Sequence, residues 1–457
     1  MFRKIIALSV SAALVGTSTT ASAAGFALIE LNASGMGNAY AGQAASAQDA
    51  STIFFNPAGM TQLPGRQVVG AIHAISPQAN FNNAGTTTLA PLQTRLGSNG
   101  GDAGGLAFVP NMYLSWQLTP RVFVGAGVNV PFGLKTDYSP EWMGRFHGIT
   151  SEVRTINVNP SIAFKVSDAL SLGFGINYQR VEATLTNAVN YSAAAFGAGG
   201  APLLTAIGGA GVEGIGKVEG DDSSWGYNLG AMINLSQATR LGLSYRSAIK
   251  HKLEGTTVFS GRPAALAAGI PDGLVTADVK LPDSASVSLF HKANAKWDIL
   301  ADASWTGWSS IKALNIVRTN GVLLASTPLD YKDSWRLSLG ANYHMNDRWT
   351  LRGGVAYDQT PVPDFDRTVR IPDGNRTWLA VGGQYRLSKA TAIDFGFAHL
   401  FVPSDPTVDS CSPAQAAANP AIVCAGKNRI TGSYSGIFQA SCRLNGCGQA
   451  AFFGFSG

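Results

Sequence analysis

The sequence is poor in charge and, beyond its first 23 residues, has no long apolar run. Asp, Glu, Lys and Arg make up 13% of the 457 residues, about half of the roughly 25% found in ordinary soluble domains. No later segment approaches the ~20 apolar residues that a membrane helix needs. Inside a bilayer only helices and closed barrels satisfy every backbone group, so a membrane location for this chain requires a barrel.

Signals for catalysis and for nucleic-acid binding are also missing. The net charge of +5 is spread along the chain without a basic block, which argues against a nucleic-acid partner. No G-x-S-x-G nucleophile motif occurs. The histidines lack paired metal-ligand spacing; they are His73, His147, His251, His291, His344 and His399. We therefore predict no enzyme activity, no cofactor and no metal site.

Cysteine is scarce, with four residues in the whole chain. Cys411 and Cys424 flank the segment SPAQAAANPAIV. In an oxidising compartment this spacing is suited to a loop disulfide, and two free thiols are the alternative.

The first 23 residues have the features of an export signal. Arg3 and Lys4 precede a short apolar run, Ile5 to Val15, and Ala21-Ser22-Ala23 forms an A-x-A cleavage site. The mature protein is then expected to begin at Ala24.

After Pro64 the chain alternates apolar with polar or small residues. Ile156 to Val166 places Ile156, Val158, Ile162 and Phe164 on one face, and similar patterns occupy Leu170–Tyr178, Trp225–Leu235 and Trp335–Tyr343. Successive strand residues point to opposite faces, so each segment has one apolar face and one polar or small face. Aromatic residues at the segment ends are typical of a barrel with lipid outside and a polar lumen.

Connections between these segments alternate between short and long. Six short turns, together with an opening strand near 66–76 and a closing strand from about Asn428, predict fourteen antiparallel strands over residues 65–441. A soluble sandwich or propeller does not require this alternation. The long links are 77–105, 131–150, 188–221, 250–280, 315–330, 360–375 and 403–427.

Residues 24–64, here called the hatch, interrupt the strand pattern. They are rich in Gly and Ala, carry only Glu30 and Asp49 as charges, and show no period of 2. Fourteen strands enclose more space than wall side chains fill, so we predict that the hatch plugs the lumen. The alternative is a simple first turn before strand one.

Several stretches match a known family in detail. They are SGMGNAYAG (34–42), Asp49-Ala50-Ser51, Asn56-Pro57-Ala58, PFGL (131–134), WMGRF (142–146), YKDSWR (331–336), DQTPVP (358–363) and RIPD (370–373). Over nearly the whole mature chain the sequence resembles the outer-membrane long-chain fatty acid and hydrocarbon transporter family (FadL/TodX type).

The resemblance implies passive uptake of long-chain fatty acids or related hydrophobic compounds through the outer membrane of a Gram-negative bacterium. Loops capture the substrate, an interior pocket holds it, and hatch movement releases it through a lateral opening. Asn56, Pro57 and Ala58 would be the moving motif, with Phe26 and Leu28 near the ligand. We place the kinked strand that opens the wall at Val122 to Val130, with Gly125 and Gly127 at the kink. Outer-membrane lipid, lipopolysaccharide and the barrel assembly machinery are the expected partners.

The sequence departs from the family at two places. Interior basic residues that meet a carboxylate are replaced by Asn187 and Thr327, which leaves Arg180, Lys332 or Arg336 as substitutes and a neutral hydrocarbon as an alternative substrate. Residues 442–457 form an atypical tail where such barrels end on an aromatic residue; a true variant and a shifted reading frame are both open. A non-specific porin and a surface receptor or adhesion protein are the rival functions.

Overall fold

A computed structural model describes residues 25–402, 404–418 and 424–435, together with the backbone of 454–456. The predicted export signal, residues 1–23, lies outside this range.

The hatch folds into helices α1 (Ala33–Met36), α2 (Gln43–Ser46) and α3 (Thr52–Phe55), followed by a 3-10 helix at Pro57–Gln62. Two further α-helices, α4 (Tyr191–Ala206) and α5 (Pro413–Ala418), and 3-10 turns at Ala264–Leu266 and Trp308–Ser310 lie between strands. Within the described residues, no helix is long and apolar enough to cross a membrane.

Strands make up most of the remaining described chain. In order they are β1 Arg66–Ile75, β2 Asn80–Asn83, β3 Ala107–Gln117, β4 Val122–Asn129, β5 Gly133–Asp137, β6 Thr150–Lys165, β7 Leu170–Asn190, β8 Glu213–Asn234, β9 Thr239–Arg246, β10 Ile249–Ser260, β11 Gly273–Leu281, β12 Ser284–Lys292, β13 Trp297–Thr306, β14 Ala313–Arg318, β15 Leu323–Pro328, β16 Ser334–His344, β17 Trp349–Asp358, β18 Arg376–Arg386, β19 Ala392–Phe401, β20 Thr407–Ser410, β21 Ile430–Ser435 and β22 Gly454–Ser456.

Antiparallel pairing joins all of these strands except β2, β20 and β21 into one large wall. Five wall strands are interrupted, so that β4/β5, β9/β10, β11/β12, β13/β14 and β15/β16 each continue one line between the same neighbours. Counted in this way, the described part of the wall has fourteen strands, the number that the sequence predicts. β22 pairs with both β19 and β1, so the pairings lead from the last strand back to the first.

The closing strand differs from the expectation. The alternation predicts that it starts near Asn428, but β21 (Ile430–Ser435) instead lies between β2 and β20 in a separate three-stranded sheet. Tyr434 there is buried and bonds through its hydroxyl to Tyr138 (2.9 Å), away from the wall. The wall strand is β22, within residues 442–457, so the boundary drawn at residue 441 is corrected.

The outer surface of the wall is apolar, as the alternation predicts. Ile156, Ile162, Leu172 and Phe174 are 43–54% exposed, whereas Asn157, Ser161, Ser171 and Asn177 on the same strands are buried and face inward. Apolar residues outside and polar residues inside are the arrangement expected of a wall surrounded by lipid.

Some wall strands extend into segments that the sequence pattern predicts to be long links. β10 and β11 occupy most of 250–280, and β8 begins at Glu213, inside the predicted link 188–221. Their outward residues are charged, for example Lys250, Lys252 and Glu254. Charged outward positions remove the apolar half of the alternation, which is why the pattern missed these strand ends.

Candidate functional site

The hatch lies inside the wall and touches it on all sides. α1 contacts β1, β18 and β19; α2 contacts β9, β12 and β13; the 3-10 helix contacts β4, β6, β7 and β8. Wall glycines make this close approach feasible. A Cβ at Gly230 would lie 2.0 Å from Asn56 Oδ1, and one at Gly173 would lie 2.2 Å from the Ala58 nitrogen. No side chain fits there, so the hatch backbone is pressed directly against the wall.

Four wall arginines fix the hatch by hydrogen bonds. Arg336 donates to the Ala39 carbonyl (2.7 Å), Arg240 to Ser46 O (2.9 Å) and Arg246 to Phe54 O (2.9 Å). Arg352 donates to Gln48 Oε1 (2.8 Å) and pairs with Asp394. Charge-assisted bonds of this kind are stronger than neutral ones, so the hatch is held at several points around the lumen.

Asn56, Pro57 and Ala58 form the junction between hatch and wall. The Asn56 amide nitrogen donates to Ala44 O (2.7 Å) within the hatch and to Ala231 O (2.9 Å) on β8. Its side-chain oxygen accepts from the Ala58 nitrogen and so caps the 3-10 helix, with Pro57 at the first helical position. Asn56 is fully buried, and one side chain therefore connects the hatch, the cap and the wall.

A cavity of about 570 Å³ lies above the hatch, within the roughly 300–1,000 Å³ usual for small-molecule sites. Its interior is mostly apolar, with Val153, Val181, Leu253, Val279 and Ile316 among the lining residues. Long loops contribute Phe146, His147, Arg370, Ile371 and Lys427. We call this space the upper cavity.

An aromatic cluster forms the floor of the upper cavity. Phe26 packs against Trp308 (ring centroids 4.9 Å apart) and Phe132 (5.8 Å), and Trp308 contacts Tyr331 (6.0 Å). On the other side of this cluster lies a lower cavity of about 180 Å³, lined by Leu28, Phe54, Phe132 and Trp308 among others. Phe26 and Leu28, both predicted to be near the ligand, thus line the upper and lower cavity respectively.

The interrupted third wall strand lies beside this floor. β4 ends at Asn129 and β5 begins at Gly133, and β3 pairs with β4 only as far as Met112–Val128. The N-terminal segment fills the interruption from inside: Leu28 N donates to Pro131 O (2.8 Å) and Gly133 N to Phe26 O (2.9 Å). The start of the hatch is therefore bonded directly to the break in the wall.

The break is not at the predicted glycines. Pairing continues on both sides through Gly125 and Gly127, and the ladder stops at residues 130–132. A Cβ at Gly125 would lie 2.6 Å from the Ile53 side chain, and one at Gly127 would lie 2.8 Å from Tyr113. These glycines make room for neighbouring side chains, and the strand interruption falls at Pro131, which has no N–H to donate to the ladder.

The three basic residues proposed from sequence lie in three different places. Arg180 faces outward, 48% exposed, paired with Glu182 (2.9 Å) and Asp221 (3.1 Å). Lys332 is exposed in the gap between β15 and β16. Arg336 faces the lumen, as its alternation predicts, but lines the lower cavity and bonds the hatch. None of them lines the upper cavity, and their role in ligand binding stays a prediction.

Two loop cations that line the upper cavity, Arg370 and Lys427, were not among the residues predicted from the sequence. Arg370 reaches Asn187, one of the two positions where the family's basic residues are absent (Nη2 to Oδ1, 3.4 Å). Lys427 lines the same cavity together with Thr327, the second such position. The RIPD stretch was a visible signal for Arg370; no sequence pattern marked Lys427. The disulfide expected nearby is present, with the Cα atoms of Cys411 and Cys424 5.6 Å apart.

Comparison with known sequences identifies related proteins over most of the chain. The model of the family described as "Outer membrane protein transport protein (OMPP1/FadL/TodX)" matches residues 14–430. A long-chain fatty acid transport protein of Escherichia coli O157:H7 is 30% identical over 416 residues, covering 86% of this chain and 91% of that protein. Outer membrane protein P1 of Haemophilus influenzae (strain ATCC 51907 / DSM 11121 / KW20 / Rd) is 30% identical over 401 residues, 83% and 86% of the two chains.

Solved structures share the architecture. A Pseudomonas aeruginosa FadL homologue superimposes with a TM-score of 0.82 at 27% identity, over 95% of this chain and 99% of that one. The Ralstonia pickettii toluene transporter TbuX gives 0.61 at 18% identity, over 93% and 97%, and indicates a common fold.

Proposed function

The chain belongs to the outer membrane protein transport family (OMPP1/FadL/TodX), and on this premise we propose that it carries long-chain fatty acids or related hydrophobic compounds passively across the outer membrane. The single observation that supports this most is the pair of cavities stacked on the hatch, an upper one that is largely apolar and a lower one beside the broken strand. An amphiphile leaving the lipopolysaccharide leaflet needs an apolar path, and the barrel offers one without an energy source. The relatives are named as transporters and membrane proteins rather than as enzymes.

The N-terminal segment is the gate in this proposal. Phe26 stands between the two cavities, and residues 26–28 bond to both sides of the strand interruption. When a ligand displaces Phe26, the cavities join and the bonds to Pro131 and Gly133 break. The interruption at 130–132 then becomes a lateral exit toward lipid.

The loop that follows β17 links the upper cavity to this gate. It carries Arg370 in the cavity wall and, three residues later, Asp373, whose carboxylate accepts a hydrogen bond from Gly25 N (2.6 Å). A ligand that contacts Arg370 therefore acts on the loop that holds the N-terminal segment. Asn56, Pro57 and Ala58 support the gate from the other end of the hatch by anchoring it to β8.

The two rival functions make different demands on the lumen. A non-specific porin needs a continuous watery channel, whereas here the hatch contacts wall strands in every direction. A surface receptor uses the outer loops and does not require a second cavity below an aromatic floor. Lipid, lipopolysaccharide and the assembly machinery remain proposed partners that follow from the outer-membrane location.

Two measurements separate transport from the rivals. In liposome swelling the intact protein should remain tight to sugars, whereas a porin leaks rapidly. In cells lacking their own transporter, expression should raise uptake of radiolabelled oleate or of an alkane. Removal of Asn56-Pro57-Ala58 should abolish that gated uptake; unchanged uptake would show that the hatch is not the gate.

A further inference from the structure

Arg370 and Lys427 are two cations that face one apolar cavity without an ion-pair partner among the described residues. Two carboxylates border this cavity, Glu219 and Asp278; they lie at outward positions of β8 and β11, and Glu219 pairs with Lys217. The other lysines in the lining are exposed; they are Lys250, Lys252, Lys280 and Lys312. A buried charge without a partner is costly. The two positive charges also repel each other, so the fold retains them at a cost in stability.

Arg370 is held firmly in position. Its guanidinium donates to Thr150 O (3.0 Å), Ser151 Oγ (2.9 Å) and Thr186 O (3.1 Å), in addition to Asn187. All of these acceptors are neutral groups of β6 and β7. They orient the side chain against the wall while its positive charge stays uncompensated.

Lys427 completes the pair from the opposite loop. Burial and the nearby Arg370 lower the pKa of Lys427 to about 8, and burial lowers the pKa of Arg370 to about 10. The third titratable group beside them, His147, has a pKa lowered to about 3 by burial and by both cations. Its Nε2 donates to Asn428 O (2.8 Å). At neutral pH the site thus holds two cations and a neutral imidazole whose Nδ1 is an acceptor.

We propose that Arg370 and Lys427 form an anion site that selects hydrophobic substrates carrying a carboxylate, in place of the wall positions occupied by Asn187 and Thr327. This inference rests on the proposed function and narrows it from hydrophobic compounds in general to acids. The headgroup lies between the two loop cations, and the chain extends over the apolar lining toward Phe26. A neutral hydrocarbon leaves both cations unpaired in the cavity and gains nothing from them.

The test compares oleate with oleyl alcohol, which shares its chain but has no charge. Binding to the purified full chain in lipid nanodiscs is measured for the wild type, Arg370→Gln, Lys427→Gln and the double variant. Charge-assisted bonds of about 1.5–3 kcal/mol predict roughly a 10- to 100-fold loss of oleate affinity for each single variant. Affinity for oleyl alcohol should change less than about twofold, and Lys427→Arg, which keeps the charge, should retain oleate binding.

Controls separate this proposal from a folding defect and from the proposed function itself. Lys427 makes no side-chain hydrogen bond in the described structure, so its variant does not disturb a bonded loop, and Arg180→Gln is a matched arginine change on the outer surface. Retained binding of oleyl alcohol shows that the cavity is intact. Equal wild-type affinity for oleate and oleyl alcohol, or a parallel loss of both in the variants, would overturn the anion site and leave hydrophobic transport standing. Absence of binding and uptake for both ligands would overturn both proposals.

Discussion

The hatch–wall junction and the upper cavity use buried cations in opposite ways. At the junction, Arg240, Arg246 and Arg336 each donate to a hatch carbonyl, and Arg352 has both an amide and a carboxylate partner. In the upper cavity Arg370 and Lys427 have no anionic partner within the described residues. The difference indicates which charges the fold uses to hold itself together and which it leaves available to a ligand.

The hatch–wall junction and the upper cavity also differ in how tightly they are packed. At the junction wall glycines bring hatch and wall backbones together with no space between them. Above it, side chains surround an open volume of about 570 Å³. Substitutions at the junction should therefore affect the seal, and substitutions in the cavity should affect ligand choice.

The largest effect is expected from Gly230→Val. The added side chain would overlap Asn56 Oδ1, so the hatch must move away from β8 and the lumen should become permeable. Liposomes containing this variant should swell in sugars several-fold faster than the wild type. Gly353→Val is the matched control, since nothing lies within 4 Å of a Cβ at Gly353. If both variants remain equally tight, the junction does not form the seal.

The second prediction concerns how the affinity of the upper cavity for oleate depends on pH. With the pKa of Lys427 near 8, that side chain is protonated below this pH and loses its charge above it. Arg370, with a pKa near 10, stays charged across most of this interval, and His147 stays neutral. Oleate affinity should therefore fall by about tenfold between pH 7 and pH 9.5, while affinity for oleyl alcohol stays constant. A flat oleate profile, with Lys427→Arg behaving like the wild type, would contradict this role.

Replacement of Lys427 by an uncharged residue should stabilise the protein without ligand. The lowered folded-state pKa of Lys427 means that the folded state binds its proton less tightly than the unfolded chain, so the cost is present below pH 8 and disappears as the pH rises toward 10.5. Lys427→Met at pH 7 should raise the free energy of unfolding by about 1–2 kcal/mol after allowance for solvent screening. Denaturant unfolding in lipid measures this; a clear loss of stability would mean that Lys427 is a structural residue.

The smallest effect is expected at Arg180 and Lys332. Both are exposed and outside the upper cavity, so replacement by Gln should leave oleate uptake within about twofold of the wild type. A strong loss of uptake in Arg180→Gln would place ligand recognition on the outer surface of the barrel instead of in the cavity.

The sequence was most informative where lipid contact imposes a pattern. Alternation from Ile156 to Val166 reports one lipid-facing side, and such segments predict the strand number and the orientation of Arg336. Above the lipid, outward positions such as Lys250 and Lys252 are polar, and the pattern disappears although the strand continues. The position of β21 depends on burial of Tyr434 among distant aromatic residues, which no local period reveals.

The candidate site was less accessible to sequence reasoning for the same reason. Asn56 and Phe26 lie in a distinctive local motif near the N-terminus, and the structure places both at contacts between hatch and wall. Arg370 and Lys427 meet only because two loops far apart in sequence fold over one cavity. Strand periodicity carries no information about which loop residues meet in space. Periodicity therefore favours Arg180, within a regular strand, as a headgroup ligand and gives no signal for the loop cations.

The central claim, that the N-terminal segment must leave the strand interruption for transport to occur, has a direct test. Ala27 and Phe132 face each other as antiparallel bridge partners, so an Ala27→Cys, Phe132→Cys double variant should form a disulfide between segment and wall. The oxidised protein should show no oleate uptake, and mild reduction should restore it to the level of the single-cysteine variants. Full uptake by the fully cross-linked protein would contradict the account.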